Sequence, residues 1–412
     1  MSKTGSVWAW LGVLALGGMS AGAAAAQVTA AVPLPAANIE TAADAFAQDA
    51  GEYARHYGVA PDEAIRRLHA QEESVPATDA LRDEFRDRLA GIYLEHQPEF
   101  RIVVLLTGEE QPADRSVYAG GMAVPIVFRT GAPATREQVL AAIRLHQADI
   151  RAALQHPPGM GVDPRSGTLL VVANPADVAA EGTAAWEERL TAIAGVPVRI
   201  ASLDPEEVNT AIEGGGRVVG LNPADGLRYA CTTGFAVTDG TRTGLITAAH
   251  CPDALSFRST DGRETPLDFV GQWGWGYQDV QVNVSPDPLD PLFYANTAKT
   301  LARPVQTWRT RPRTRSGDVV CHRGERTGYS CAEIGLVDFA PAGDLCGGAC
   351  LPTWVTVEGP DCRSGDSGAP VFNGTVAFGI VKGASYRADG ACSFYYYMST
   401  DYLPQGWSLL HQ

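Results

Sequence analysis

Cysteine is absent from the first 230 residues of this 412-residue chain, and all eight cysteines lie between Cys231 and Cys392. None forms a Cys-x-x-Cys pair, and the histidines lack metal-ligand spacing, so we expect neither a metal site nor any other cofactor. Basic residues are scarce as well: 32 Lys and Arg face 47 Asp and Glu, a net charge of −15. Such acidity argues against nucleic acid as a partner.

Long apolar runs are missing except near the start. There, Lys3 precedes the apolar run Val7–Met19, and small residues at 22–26 offer a cleavage site before Gln27. The run is shorter than the roughly 18–20 residues that a membrane span needs. Residues 1–26 are therefore predicted to be a signal peptide. The even cysteine count agrees with export and predicts disulfides, so we expect a secreted protein with no membrane contact after signal removal.

The two halves of the chain differ in charge and texture. Residues 1–213 carry 16 Lys and Arg against 28 Asp and Glu (net −12), whereas residues 214–412 carry 16 against 19 (net −3). Periodicity predicts an α+β region over residues 27–213. Helices are expected at Ala42–Tyr57, Pro61–Ala70, Asp79–His96, Thr135–Gln155 and Ala184–Ala194, with strands at Phe100–Leu106, Met122–Phe128, Thr168–Ala173 and Val196–Ala201.

Three glycines at 214–216 mark a change of texture. Beyond them the sequence consists of short β-rich runs, such as 280–284 and 376–381, separated by Gly, Pro, Asn and Asp. Many short strands with turn signals between them predict an all-β barrel or sandwich.

Two motifs in this second half carry chemistry. His250 lies in Thr-Ala-Ala-His-Cys at 247–251, and Ser367 lies in Gly-Asp-Ser-Gly at 365–368. A serine hydroxyl is a weak nucleophile at neutral pH, so it needs a base and waiting donors for the oxyanion. His250 can supply the base, and a glycine-flanked turn can present the hydroxyl and aim backbone N–H groups at a substrate carbonyl.

A nucleophile and base of this kind need a carboxylate that orients the imidazole. In the order His-Asp-Ser it lies between His250 and Ser367. We favour Asp279, because it precedes an alternating apolar strand that would hold it rigidly. Asp268 is the main competitor, while Asp287 and Asp290 lie in a proline-rich loop and are weaker candidates.

Residues 214–412 resemble the secreted bacterial chymotrypsin-fold serine endopeptidases of the alpha-lytic protease and streptogrisin type. The resemblance rests on the His250 motif with the preceding Cys-Thr-Thr-Gly-Phe-Ala-Val at 231–237, on the Asp279 strand, on 321–331, and on the Ser367 turn with 379–383. It implies a trypsin-like double β-barrel with the triad His250, Asp279 and Ser367 between the barrels.

The resemblance also implies finer detail. The oxyanion hole would be the backbone N–H groups of Gly365 and Ser367, and a strand with Lys382, Gly383 and Ala384 would bind substrate. The implied disulfides are Cys231–Cys251, Cys321–Cys331, Cys346–Cys350 and Cys362–Cys392. Residues 27–213 would be a pro-region, a folding aid and inhibitor that the enzyme removes by cutting between 212 and 229. Polypeptide substrates and this pro-region are the expected partners of a monomer.

Three departures from the family pattern affect the second half. His322 occupies the position of an arginine that neutralises the aspartate before the serine, here Asp366, so either Arg323 or His322 is expected to take that role. Lys382 and Ala384 replace residues of a Ser-Gly-Gly strand, and Lys382 changes the surroundings of Asp279. The departures at Lys382 and His322 motivate an alternative, a catalytically inactive protease fold that serves as a binding module.

Four arginines at 309, 311, 313 and 315 alternate along the chain. On a strand they would share one face. They could form a basic stripe that docks the acidic pro-region or an anionic substrate, or simply a solvated strand face, which we favour.

Overall fold

The computed structural model describes residues 37–203, 216–223, 226–342, 346–359, 361–363, 365–387 and 391–412. The predicted signal peptide, the boundary between 213 and 214, and part of the expected cleavage segment 212–229 lie outside the described residues. We call 37–203 the N-terminal region and 216–412 the C-terminal region. Both belong to one compact unit from Pro35 to Gln412. Within the described ranges, no helix has the length and apolar character needed to span a bilayer.

The N-terminal region mixes helices and strands, as predicted. Its helices are α1 (Ala42–Tyr57), α2 (Pro61–Glu73), α3 (Val75–Glu84), α4 (Arg136–Ala153), α5 (Pro175–Glu181) and α6 (Thr183–Ala194). Its strands are β1 (Asn38–Ile39), β2 (Leu89–Glu95), β3 (Arg101–Thr107), β4 (Arg115–Ala119), β5 (Met122–Ala132), β6 (Gly159–Asp163), β7 (Thr168–Ala173) and β8 (Val198–Ser202).

Local signals set the helix ends. The side chain of Thr41 accepts a hydrogen bond from the Asp44 N–H at the start of α1, and Gly58 ends that helix with φ of 67°. Thr135 and Gln138 form a reciprocal capping box at the start of α4. These caps satisfy backbone groups that a helix end leaves unpaired, so the sequence fixes where these helices begin and end.

The helix expected at Asp79–His96 is wrong over its second half. Helix α3 ends at Glu84, and Leu89–Glu95 forms β2, which pairs antiparallel with β3. The segment is buried on both faces, and a Cβ at Gly91 would lie 2.2 Å from the Pro164 carbonyl oxygen. Burial on both sides erases the alternation that marks a strand, so helical and strand patterns look alike in sequence.

The C-terminal region consists of strands with two short 3₁₀ turns among its described residues. The strands are β9 (Arg217–Leu221), β10 (Arg228–Thr232), β11 (Ala236–Thr238), β12 (Thr243–Thr247), β13 (Leu255–Arg258), β14 (Glu264–Pro266), β15 (Asp268–Trp273), β16 (Val280–Val284), β17 (Leu292–Tyr294), β18 (Leu301–Pro304), β19 (Thr307–Trp308), β20 (Val319–Gly324), β21 (Gly328–Glu333), β22 (Phe339–Ala340), β23 (Val355–Glu358), β24 (Pro370–Asn373), β25 (Val376–Tyr386), β26 (Cys392–Ser399) and β27 (Ser408–Leu409). The 3₁₀ turns are Arg311–Arg313 and Thr400–Tyr402.

These strands build two β units, which confirms the predicted double β-barrel. The first combines the sheets β10-β9-β13-β14 and β15-β16-β12-β11-β27, and the second is the sheet β21-β20-β24-β25-β26-β23. One apolar cluster joins them, because Phe235 and Val282 of the first unit belong to the same core as Phe372 and Ile380 of the second. The segments that carry His250 and Ser367 therefore come from different units with a shared core.

Backbone pairing also joins the N-terminal and C-terminal regions. Strand β6 pairs antiparallel with β22, so the four-stranded sheet β22-β6-β7-β8 contains strands of both regions. Strand β1 pairs parallel with β18. Since such pairing uses main-chain groups of both regions, the two share hydrogen bonds of the kind that normally hold one domain together.

The structure joins the cysteines as Cys231–Cys251, Cys321–Cys331, Cys346–Cys350 and Cys362–Cys392, the same pairs that the resemblance implies. All four lie in the C-terminal region. The first joins Cys251, the residue after His250, to Cys231 of β10, and the last links the segment before Ser367 to β26.

Candidate active site

His250 and Asp279 form a close pair. His250 follows β12 in a turn, and Asp279 immediately precedes β16, the strand that pairs with β12. The Nδ1 atom of His250 lies 2.9 Å from Oδ2 of Asp279, and the His250 backbone N–H donates to Oδ1 at 3.3 Å. A carboxylate at Nδ1 keeps the proton on that nitrogen, which leaves the Nε2 lone pair free to act as a base.

Asp279 is an ionised carboxylate despite its burial, with only 1% of its surface exposed. Burial alone would raise its pKa, but the charges of Lys382 and His250 and their hydrogen bonds outweigh burial and hold the pKa well below its ordinary value. The structure therefore gives His250 a charged partner throughout the physiological pH range.

The other candidate carboxylates lie elsewhere. Asp268 begins the exposed strand β15, opposite Val284 at the far end of its pairing with β16. Asp287 and Asp290 line a cavity of about 570 Å³ beside Phe257 and Phe293. Of the four aspartates considered, Asp279 is the one that the structure brings to His250.

The turn around Ser367 lies against the His250 motif. Gly365 and Gly368 have φ of 113° and 87°, values that favour glycine. A Cβ at Gly368 would lie 2.2 Å from the Thr232 carbonyl oxygen and 2.4 Å from Oγ1 of Thr247. The Thr232 N–H also donates to the Ser367 carbonyl at 2.8 Å. These contacts place Ser367 directly beside the strand ends that carry the Cys231–Cys251 disulfide and His250.

Asp366, next to the serine, has no arginine as a direct ion-pair partner among the described residues. Its carboxylate accepts hydrogen bonds from the Thr327 hydroxyl (2.9 Å) and from the backbone N–H groups of Arg363, Arg326 and Thr327. Burial nevertheless raises its pKa to about 6. The turn that carries Ser367 is thus anchored by backbone N–H groups and the Thr327 hydroxyl rather than by a direct ion pair.

Neither of the expected substitutes for the missing arginine binds Asp366. Arg323 donates to the carbonyls of Asn296 and Thr297 and pairs with Glu325 at 3.5 Å. His322 reaches Asp366 only through Thr327, whose hydroxyl lies 3.1 Å from Nε2. Burial lowers the pKa of His322 to about 4, so the ring is neutral at physiological pH.

The segment with Lys382, Gly383 and Ala384 lies in β25, paired with β26. The Lys382 side chain is 3% exposed and points inward, so that its ammonium lies 3.2 Å from Oδ2 of Asp279. Gly383 and Ala384 are partly exposed, and a Cβ at Gly383 would meet the Tyr396 ring. The sequence placed Lys382 near Asp279, but the inward direction of its side chain depends on the register of β25.

One group of possible metal ligands occurs among the described residues: Asp49 with Cys321 and Cys331. Both sulfurs are joined in a disulfide. The Asp49 carboxylate is occupied by Arg303, the Tyr329 hydroxyl and the Gly374 N–H. Since its possible ligands have other partners, this group does not fit a metal ion.

The C-terminal region combines two β units that share a core with the His250, Asp279 and Ser367 motifs. This arrangement is similar to that of bacterial trypsin-like serine proteases and agrees with the resemblance drawn from the sequence. The chain is similar to Streptogrisin-C of Streptomyces griseus, with 27% identity over 177 residues that cover 40% of this chain and 33% of the relative. It thus spans about a third of that relative's length. No protein-family model matches the chain.

Solved structures with a similar arrangement include Thermobifida fusca Protease A, with 22% identity and a TM-score of 0.38 over 49% of this chain and 100% of that chain. Cellulomonas bogoriensis chymotrypsin has 20% identity and a TM-score of 0.38 over 49% of this chain and 99% of that chain.

Proposed function

We propose that this chain is a secreted serine endopeptidase, made as a precursor that processes itself. The observation that carries the proposal is the His250–Asp279 pair, with Nδ1 2.9 Å from a buried carboxylate, beside a glycine-flanked turn that presents Ser367. The four disulfides fit an oxidising compartment outside the cell. The substrates are polypeptides, and the processed enzyme is a monomer.

The chemistry follows from the roles of these groups. Ser367 Oγ attacks a peptide carbonyl while His250 Nε2 removes its proton, and Asp279 stabilises the imidazolium that forms. The backbone N–H groups of Gly365 and Ser367 hold the oxyanion. His250 then returns the proton to the leaving amine, and water repeats the sequence to release the acyl group from Ser367. The partly exposed Gly383 and Ala384 of β25 bind the substrate chain alongside.

We further propose that residues 27–213 are a pro-region that guides folding of residues 214–412 and inhibits the enzyme until it is cut away. The contacts between the regions support this role. Strand β6 pairs with β22, Gln71 exchanges hydrogen bonds with the Val319 backbone, and His96 lies 2.7 Å from the Gly317 carbonyl. Such contacts would hold strands of the C-terminal region in register before their own long-range partners arrive.

The decisive experiment compares the intact mass of the secreted wild type with that of Ser367→Ala. We expect a wild-type product of roughly half the precursor mass and a mutant that keeps its full length after signal removal. His250→Ala should behave like Ser367→Ala. If all three proteins have the same full-length mass, the self-processing proposal is wrong.

A second candidate function is a catalytically inactive binding module. The observation that favours it is the Lys382 ammonium on Oδ2 of Asp279, the oxygen that His250 also uses. An active-serine phosphonate probe separates the two functions, because it labels only an activated hydroxyl. We expect labelling of the processed wild type and none of His250→Ala; an unlabelled, correctly folded wild type would favour the binding module.

A further inference from the structure

Lys382 is a buried lysine in a chain that uses arginine almost everywhere else. The chain has 32 Lys and Arg, of which only Lys3, Lys299 and Lys382 are lysines. The Lys382 side chain is 3% exposed and lies with its ammonium 5.1 Å from the centre of the Trp354 ring. A buried cation is costly unless a counter-charge and an aromatic face compensate for the lost water. This lysine has both.

The counter-charge is the carboxylate that orients His250. Oδ2 of Asp279 lies 3.2 Å from Lys382 Nζ and 2.9 Å from His250 Nδ1, so a single oxygen serves both groups. Oδ1 accepts the His250 backbone N–H, and the Asp279 N–H contacts Met398 Sδ. The charged side chains acting on Asp279 are thus Lys382 from β25 and His250 from the turn after β12, while Met398 and Trp354 supply neutral surroundings.

The Lys382 charge beside Asp279 affects how readily His250 takes up a proton. An aspartate alone favours the imidazolium form of its histidine, because opposite charges attract across a short distance. The Lys382 ammonium on the same oxygen cancels part of that attraction and repels the imidazolium. His250 therefore takes up a proton less readily, so it can still act as a base in more acidic solution. The same cation also stabilises the transition state less, because the imidazolium that forms there is repelled.

We propose that Lys382 is a positioning residue that offsets the Asp279 charge acting on His250 and so extends proteolysis to lower pH than a triad without this cation would reach. The inference rests on the serine-protease function proposed above. It assigns Lys382 no contact with substrate: the residue acts through Asp279.

The test is the pH profile of kcat/KM for processed wild type, Lys382→Gln, Lys382→Met and Lys382→Arg. The glutamine keeps a donor without charge, the methionine keeps length alone, and the arginine keeps the charge. We expect the acid limb to move up by about one pH unit in the glutamine and methionine variants and to stay in place in the arginine variant. Lys299→Gln removes a lysine that pairs with Glu325 and should leave the limb unmoved.

A purely structural role predicts a different result. If Lys382 merely braced β25, the neutral variants would lose activity by the same factor at every pH and the acid limb would not move. That outcome would overturn the inference. The glutamine variant, which retains a hydrogen-bond donor to Asp279, guards against a methionine variant that fails to fold.

A second measurement separates this inference from the proposed function. In the full-length Ser367→Ala chain, NMR follows the pH at which the His250 ring resonances change, with and without Lys382→Gln. We expect that pH to rise by about one unit in the double variant. An unchanged value would sink the role of Lys382 even if the wild type cleaves peptides. A shifted value beside an inactive wild type would retain the charge effect and reject the protease function.

Discussion

The N-terminal and C-terminal regions of this chain are stabilised by different means. The described part of the N-terminal region has six helices and no cysteine, and its two largest cores are mainly aliphatic, built around residues such as Leu169 and Ile102. The C-terminal region is a β structure with four disulfides. Covalent cross-links are confined to the region that carries the candidate triad, the part that would remain after the proposed removal of residues 27–213.

The boundary between the regions shows how far each depends on the other. Arg303 of the C-terminal region is fully buried and pairs with two N-terminal carboxylates, Glu40 at 2.8 Å and Asp49 at 2.9 Å. Asp49 is itself fully buried. A buried charge needs a partner of opposite sign. The comparison therefore teaches that the excess negative charge of the first half is partly the counterpart of arginines in the second.

Asp49→Ala should produce the largest effect, because it removes a buried ion pair between the two regions. It removes a carboxylate from Arg303 and leaves the Tyr329 hydroxyl and the Gly374 N–H without their acceptor. We expect a loss of about 3–5 kcal/mol in the free energy of unfolding, measured by urea denaturation of the uncleaved Ser367→Ala chain.

Glu52→Ala is the matched control for this experiment, since Glu52 lies on the same helix and pairs with the exposed Arg55. Its loss should change stability by less than about 1 kcal/mol. Equal effects of the two substitutions would show that the buried boundary does not couple the regions.

Removal of the Cys362–Cys392 disulfide tests the stability of the C-terminal region. This bridge closes a sequence separation of 30 residues, so replacing both cysteines by serine should cost about 3–4 kcal/mol through the larger entropy of the unfolded chain. The Cys346–Cys350 bridge spans a separation of 4 and should cost about 2 kcal/mol or less.

Urea unfolding of both double-serine variants in the Ser367→Ala chain tests this order. Hydrogen exchange should localise the added opening to the C-terminal region. Added exchange in α4 or α6 instead would contradict the separation of roles between the two regions.

Asp366 should make stability depend on pH within the C-terminal region. Its folded-state pKa of about 6 lies above the ordinary value of 3.8, so between these values the folded chain binds more protons than the unfolded chain. This term lowers stability as pH rises from about 4 to about 6, by up to about 3 kcal/mol. Asp366→Asn should remove it, as measured by unfolding at pH 4 and pH 7.

Asp268→Asn, on the exposed strand β15, is the control and should follow the parent chain at both pH values. If Asp366→Asn shows the same change in unfolding free energy between pH 4 and pH 7 as the parent chain, the prediction is wrong. The hydrogen bonds to Asp366 would then offset its burial completely.

Arg313→Ala should have the smallest effect. Its guanidinium pairs with Asp79 of the N-terminal region at 3.0 Å, but the side chain is 60% exposed. Solvent screens such a pair, so we expect a change of at most about 0.5 kcal/mol in urea unfolding. Arg315→Ala provides the contrast, because Arg315 is buried and binds Asp318, Ser74 and the Gln71 carbonyl. A comparable loss from both variants would refute burial as the deciding factor.

These arginines also show where sequence reasoning stops. Their alternation favoured a solvated strand face, but Arg311–Arg313 is a 3₁₀ turn, and Arg309 and Arg315 are buried. Arg309 binds Glu72, so the alternative reading, docking onto the acidic half, is the one that the structure supports. Alternation in a sequence predicts a shared face only if the segment is a strand, and local sequence does not decide which surface covers that face.

The residues of the candidate site could be predicted from sequence where they lie in short, contiguous motifs. The motifs around His250 and Ser367 are contiguous, and Asp279 directly precedes a recognisable strand. The partner of Asp366 was not accessible, because Thr327 approaches it through the hairpin of β20 and β21. The resemblance did place Lys382 near Asp279, but the ion pair between them depends on how β25 packs against the first β unit. Contacts of this kind are set by long-range packing rather than by neighbouring residues.

A chain of contacts leads from the β6–β22 pairing to the candidate triad. Phe339 of β22 exchanges backbone hydrogen bonds with Trp354, and the Trp354 ring lies against the ammonium of Lys382, which contacts Asp279. Strand β6 of the N-terminal region thus pairs with the strand whose Phe339 holds Trp354 next to Lys382. If residues 27–213 are removed as proposed, β22 loses its partner β6. The precursor and the mature enzyme would then differ in the strands that pack behind Trp354, Lys382 and Asp279.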